Sequence, residues 1–195
     1  MKKRLVLSVV SDWRSSEGLK LEDTPNWREV RSEALRRDGF ACYFCGFASP
    51  KYMEVHHKGG VHKDNSLENL VSLCPFCHSC LHIGFSGVKG RGSLLVLERG
   101  ATPNQAKMNR ILLESLTERG DESLFFLMRK NLPVREDRGA EGLVMLANLI
   151  LERARSGLDA TPPGNLLFMP NPDEYQIAKF LKSLSGNALP GEGHS

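Results

Sequence analysis

The sequence predicts an α+β protein: a zinc-held module of short strands and a helix, an N-terminal strand and helix packed on it, and a helical region after it. Three observations predict this. Two C-x-x-C pairs, Cys42/Cys45 and Cys74/Cys77, lie twenty-eight residues apart; each tight turn offers two sulfurs, and two turns complete the tetrahedron that zinc prefers. Apolar residues recur at helical spacing on both sides of this stretch. Leu5–Val10 and Ser93–Leu97 are short apolar runs of strand length. The expected divisions are 1–40 for the N-terminal strand and helix, 41–98 for the zinc-binding module, and 99–195 for the helical region with a frayed tail.

Composition sets the outer bounds. A chain of 195 residues with 41% hydrophobic and 25% charged residues can bury a core in one or two domains. A net charge of +3 permits contact with nucleic acid without arguing for it. All five cysteines fall between Cys42 and Cys80, which suits a metal site and a reducing compartment better than scattered disulfides. Cys80 reads as a structural cysteine or a spare thiolate. The apolar run after Met1–Arg4 is too short for a signal peptide or a membrane span. The expectation is a cytoplasmic protein with no membrane insertion, and Leu5–Val10 is a buried or edge strand.

In chain order, Thr24-Pro25 forms a helix start, with Thr as cap and Pro at the first helical position. Trp27, Val30, Ala34 and Leu35 give that helix its apolar side, and Asp38-Gly39 ends it. Arg28, Arg31, Arg36 and Arg37 line its other faces, as a phosphate-facing strip or as a solvated surface. Gly84–Gly92 reads as a flexible basic loop feeding the strand Ser93–Leu97. Thr102-Pro103-Asn104-Gln105 is a capping box opening a helix to about Glu118. Asp121 caps another helix carrying Leu124, Phe125, Leu127 and Met128. Asn131–Gly142 reads as a charged loop. Leu143, Leu146, Ala147, Ile150, Leu151 and Ala154 mark an amphipathic helix ended by Gly157. Leu158–Pro170 reads as a connection, and Asn171-Pro172 opens a last helix through Tyr175 to Leu184.

The histidines of the cysteine-bounded stretch narrow the chemistry. Glu54-Val55-His56-His57, then Asn69, then His78 directly after Cys77, resemble the HNH endonuclease family. The resemblance implies a ββα-metal core: Glu54–His57 at the end of the first strand, Asn69 in the loop before the helix, and the helix beginning near Cys74. It implies His57 as general base, His56 and His78 as ligands of a catalytic Mg or Mn ion, and Asn69 as the residue that fixes the loop and orients His57. Phosphodiester hydrolysis needs those two provisions, a cation at the phosphate and a base for water. Two imidazoles suit Mn²⁺, Ni²⁺ or Zn²⁺ better than Mg²⁺, which prefers oxygen. A regular strand would put Glu54 on the face of His56. His62 and His82 have no position in the motif and read as surface histidines, with a place near the metal as the alternative for His82.

A second resemblance covers nearly the whole chain. Leu5–Arg14, Arg36–Phe47, Asn65–Cys80 and Gly87–Leu97, with weaker stretches at Phe126–Leu151 and Leu166–Leu184, are similar to the IcmJ/DotN family of type IVB (Dot/Icm) secretion systems. That resemblance implies a structural zinc at Cys42, Cys45, Cys74 and Cys77. It also implies a place in the coupling complex, contact with the C-terminal tail of the coupling ATPase, and a location at the inner face of the membrane through that complex. The family keeps the zinc fold without the HNH histidines, and this chain departs from it by carrying His56, His57, Asn69 and His78. Two functions therefore stand, and they are not exclusive: a coupling-complex subunit built on an HNH-type zinc fold, whose intact motif leaves metal-dependent DNA cleavage open to it, and a free-standing HNH endonuclease.

Overall fold

The computed structural model describes residues 4–10, 25–58 and 64–175. Helix α1, Pro25–Arg37, ends in a tight reversal in which the Phe40 N–H donates to Leu35 O (2.8 Å) and the Gly39 N–H to Arg36 O (3.0 Å). Gly39 takes the left-handed conformation this closure requires, with φ 60°. The expected Thr24 cap lies outside the described residues.

The chain then builds a small antiparallel pair, β1 (Glu54–His57) and β2 (Leu70–Leu73), with His56 opposite Val71 and His57 opposite Leu70. Helix α2, Pro75–Leu81, follows β2 at once, capped at its N-terminus by the Cys74 sulfur. Strand alternation governs what comes next. Glu54 and His56 point to a half-exposed face of β1, while Val55 and His57 point into the core. Asn69 closes a 3-10 turn, Leu67–Asn69, and β2 separates it from α2.

Several expectations need correction. Residues 4–10 form no strand. Leu5 and Leu7 are buried, but the segment runs along the end of α2, where the Ser8 N–H donates to Cys80 O (2.9 Å) and the Ile83 N–H to Ser8 O (3.2 Å). Gly84–Gly92 is not a loop: Ile83–Val88 is helix α3. Gly87 serves close packing rather than flexibility. A Cβ there would sit 2.7 Å from Ala140 O and 2.8 Å from Val144 Cγ2 of the facing helix. The helix α4, Gln105–Arg119, is capped by Asn104, whose Oδ1 accepts from the Lys107 N–H, and not by Thr102. Helix α5 spans Ser123–Asn131, with Asp121 Oδ1 accepting from the Ser123 N–H.

The largest correction concerns the region after residue 99, which is not purely helical. Strand β3, Gly92–Leu97, is the centre of an antiparallel sheet flanked by β4, Val134–Asp137, and β5, Leu166–Pro170. Both partners come from stretches that read as connections. The amphipathic helix α6, Gly139–Arg155, packs on this sheet and on α3. Past β5 a 3-10 turn, Pro172–Glu174, leads to buried Tyr175. The rest of the expected last helix lies outside the described residues. Among the described residues, no helix is long and apolar enough to cross a membrane.

Candidate metal centres

The first C-x-x-C pair sits in a tight turn. The Gly46 N–H donates to Cys42 O (2.9 Å), with Gly46 at φ 75°, and the Cys42 N–H donates to Phe47 O (2.8 Å). The Tyr43 N–H reaches Ser72 O (2.9 Å) and ties this turn to β2. The second pair opens α2, where the Cys77 N–H donates to Cys74 Sγ (3.4 Å). The Phe47 N–H does the same for Cys45 Sγ (3.5 Å).

The four sulfurs come within 4.8 Å of one another. A tetrahedral zinc with Zn–S bonds of about 2.3 Å asks for sulfur–sulfur edges of roughly 3.8 Å, and Cys45 Sγ and Cys74 Sγ are 3.6 Å apart. The donor set, its spacing and its amide support fit zinc. Hydrogen bonds among the thiols hold Cys42 below its ordinary range, while burial pushes Cys74 up and hydrogen bonding to Cys42 pushes Cys77 up. Cys80 is fully buried and stands outside this set. Burial pushes its thiol well up.

A second cluster lies on the outer side of α2. His56, His78 and His82 bring ring nitrogens within 4.8 Å of one another. His56 Nδ1 and His82 Nε2 are 3.1 Å apart. His78 Nδ1 is hydrogen-bonded to Glu54 Oε2, so the regular β1 does place Glu54 beside His56. Burial alone would raise the Glu54 carboxyl. The field of His78, its hydrogen bond, and the charges of Arg91 and Arg31 hold it below its ordinary value instead. All three histidines are half-exposed, so the cluster has an open side. Three imidazoles with a carboxylate behind one of them make a donor set for a borderline divalent transition ion rather than Mg²⁺.

The structure thus brings His56 and His78 together and adds His82, which the sequence reading left on the surface. The signal was present: His78 and His82 are four residues apart, one turn along a helix, and so share a face. His62 lies outside the described residues. His57 and Asn69 are not part of this cluster. His57 is only 2% exposed, stacks on Trp27 with ring centroids 5.4 Å apart, and engages Asn65 Oδ1 through Nε2 (2.9 Å). Asn69 pins the end of β1: its carbonyl accepts from the Lys58 N–H (2.7 Å), and its Nδ2 donates to Asp64 O (2.9 Å).

The arginines of α1 divide. Arg31 Nη2 donates to Met53 O (2.9 Å), and Arg37 reaches Leu70 O (2.9 Å) while pairing with Asp38. Both therefore brace α1 against the strand module, a structural duty added to the two readings of that strip.

Comparison with known proteins bears out the resemblance to the IcmJ/DotN family, over less than half of the chain rather than nearly all of it. The chain is similar to the type 4 apparatus protein DotN of Legionella pneumophila, with 31% identity over 87 residues, covering 45% of this chain and 40% of DotN. It is also similar to the Zorya protein ZorE of Escherichia coli, with 38% identity over 56 residues, covering 27% of this chain and 15% of ZorE. Each match thus spans less than half of the relative's length. No family profile matches the chain.

Proposed function

We propose that this relative of the DotN proteins is a zinc-held subunit of a type IVB secretion apparatus, working in the coupling complex at the cytoplasmic face of the membrane. The observation that carries the reading is the similarity to DotN, joined to a cysteine cluster whose geometry suits a structural zinc. The coupling ATPase C-terminal tail is the proposed partner, and a surface cleft supports that choice. The cleft, of about 730 Å³, lies between α6 and the β3 sheet, over Leu94, Val96, Met145 and Leu149, with Arg99 and Arg135 at its border. Met145 is 66% and Leu149 50% exposed, so α6 presents an apolar face to solvent. An apolar segment with acidic residues would match this surface in both shape and charge. Co-expression with the tail tests the reading. The wild type should co-purify with it at a fixed ratio, and Met145→Glu with Leu149→Glu should abolish capture while the protein stays folded. Failure of the wild type to retain any such tail would contradict it.

The histidine cluster favours a second activity, metal-dependent DNA cleavage, in the complex or as a free-standing HNH endonuclease. His56, His78 and His82 would hold the divalent ion, and Glu54 would orient His78. When bound, the ion would supply charge stabilisation at a phosphate. His57 is the proposed base and Asn69 the residue that fixes its strand end. This reading stands second because His57 Nε2 is engaged by Asn65 and its ring is covered by Trp27. A plasmid-nicking assay with Mn²⁺, Mg²⁺ and Ni²⁺ tests it. Nicking that is lost in both His78→Ala and His57→Ala supports the assignment, and no nicking with any of these ions removes it.

A further inference from the structure

Among the polar side chains of the core, Asn109 on α4 is fully buried and aims at sulfur. Its Nδ2 donates toward Cys77 Sγ (3.4 Å) and toward Cys80 Sγ (3.6 Å). An amide nitrogen carries two N–H groups, one for each sulfur. Its own carbonyl is held in turn, since Gln105 Nε2 donates to Asn109 Oδ1 (2.9 Å). Gln105, also buried, clasps the main chain of β5 from both sides: Gln105 Nε2 donates to Phe168 O (2.8 Å), and the Phe168 N–H donates to Gln105 Oε1 (2.8 Å). The amide flip is therefore fixed by the network, because the Phe168 N–H needs an oxygen and the Phe168 carbonyl needs an N–H.

We propose that Asn109 is a positioning residue for the zinc centre. It donates to the Cys77 thiolate and is itself held by Gln105 and strand β5, so that the zinc site and the C-terminal sheet form one hydrogen-bonded unit. The physics is that of an outer-shell partner. A thiolate buried in an apolar core is poorly solvated, and an N–H aimed at it replaces a lost water, draws charge off the sulfur and opposes its departure from the metal. The backbone supports Cys74 and Cys45 in the same way, through the Cys77 and Phe47 N–H groups. Asn109 extends that support to a third ligand from a distant helix. The inference rests on the zinc reading of the four cysteines.

The test uses the zinc-loaded full chain. Zinc transfer to a chromogenic chelator is timed for the wild type, Asn109→Leu, and Leu113→Ala, a core truncation on the same helix that removes no hydrogen-bond donor. Asn109→Leu keeps roughly the side-chain volume and removes the donor. Outer-shell losses of this kind weaken metal binding by about 10–100-fold, so zinc release should quicken at least tenfold in Asn109→Leu and change little in Leu113→Ala. In the cobalt-substituted protein, Asn109→Leu should shift the thiolate-to-metal charge-transfer band to lower energy, a signature that lost packing alone would not give. If Asn109→Leu does not fold, Gln105→Met serves instead, freeing Asn109 to turn and giving a smaller change in the same direction. Release from the Asn variant within twofold of wild type, or equal acceleration by Leu113→Ala, would overturn the inference. A wild type that carries no zinc would overturn the zinc reading itself.

Discussion

The two clusters that flank α2 differ in donor type, burial and support. The cysteines are closed in. Cys42, Cys74 and Cys77 are buried, and backbone or Asn109 N–H groups point at the sulfurs of Cys45, Cys74 and Cys77. The histidines are open: His56, His78 and His82 are half-exposed, and the Glu54 carboxylate braces His78. A closed four-ligand set with sulfur donors is the arrangement of a structural site, whereas an open set leaves positions for an outside molecule. One short helix thus borders both clusters, its N-terminal turn beside the closed one and His78 beside the open one.

That contrast breaks most sharply at the cysteines. Structural zinc contributes about 10–16 kcal/mol of apparent binding energy in small zinc modules, against a whole-domain stability of about 5–15 kcal/mol. Cys42→Ser should therefore give a protein without zinc and without a cooperative unfolding transition, measured by elemental analysis and circular dichroism. Cys80→Ser should keep its zinc, since Cys80 is outside the set. A folded, zinc-free Cys42→Ser protein would break the comparison on its closed side.

His78→Ala probes the open side. It should remove binding of an added Ni²⁺ or Mn²⁺, followed by calorimetry, while zinc content and far-UV dichroism stay unchanged. Loss of zinc in this variant would show that the two clusters are not separate.

A mid-sized effect is expected where α3 meets α6. Overpacking a close contact typically costs about 1–3 kcal/mol, and Gly87→Ala should lose that much in urea denaturation because its Cβ would press on the Ala140 carbonyl. Neither cluster touches this contact, so zinc content should hold.

The smallest effect is at Asp38, which braces the cysteine side. Asp38 Oδ2 accepts from the Ser72 N–H (2.8 Å), and the carboxylate pairs with Arg37. Burial pushes its carboxyl up, but the Arg37 and Ser72 hydrogen bonds hold it below its ordinary value. A depressed carboxyl contributes stability above its unfolded pKa, near about 3.9, and loses it as pH falls through the folded value. Asp38→Asn should cost about 1–2 kcal/mol at neutral pH, and the gap to wild type should close as pH falls below about 4. A gap that persists to low pH would assign Asp38 a purely steric role.

The closed site was legible in the sequence because its geometry is local. Each C-x-x-C pair folds into its own turn, and the Cys74-Pro75 start of α2 follows from capping rules. Of the strand pair, β1 was expected to end at Glu54–His57, whereas β2 falls where the chain was expected to pass from the Asn69 loop straight into the helix. What stayed hidden depends on distant partners. β4 is Val-Arg-Glu-Asp, an edge strand whose mostly exposed residues give no alternation. β5 is a five-residue apolar run, Leu166–Pro170, behind Pro162, Pro163 and Gly164. Only pairing with β3 makes either a strand. Four glycines between Gly84 and Gly92 suggest flexibility, yet one of them, Gly87, lets two helices touch. His82 was read as surface because it has no position in the motif, yet α2 brings it beside His78, four residues earlier.

The central claim is that one helix carries two independent metal centres, a closed thiolate site and an open imidazole site. The most direct measurement is metal counting on the wild type and His78→Ala, as purified and after equilibration with Ni²⁺. The account predicts one zinc per chain in both proteins and an added nickel ion in the wild type alone. Zinc-free wild type, or equal nickel uptake by the two proteins, would contradict it.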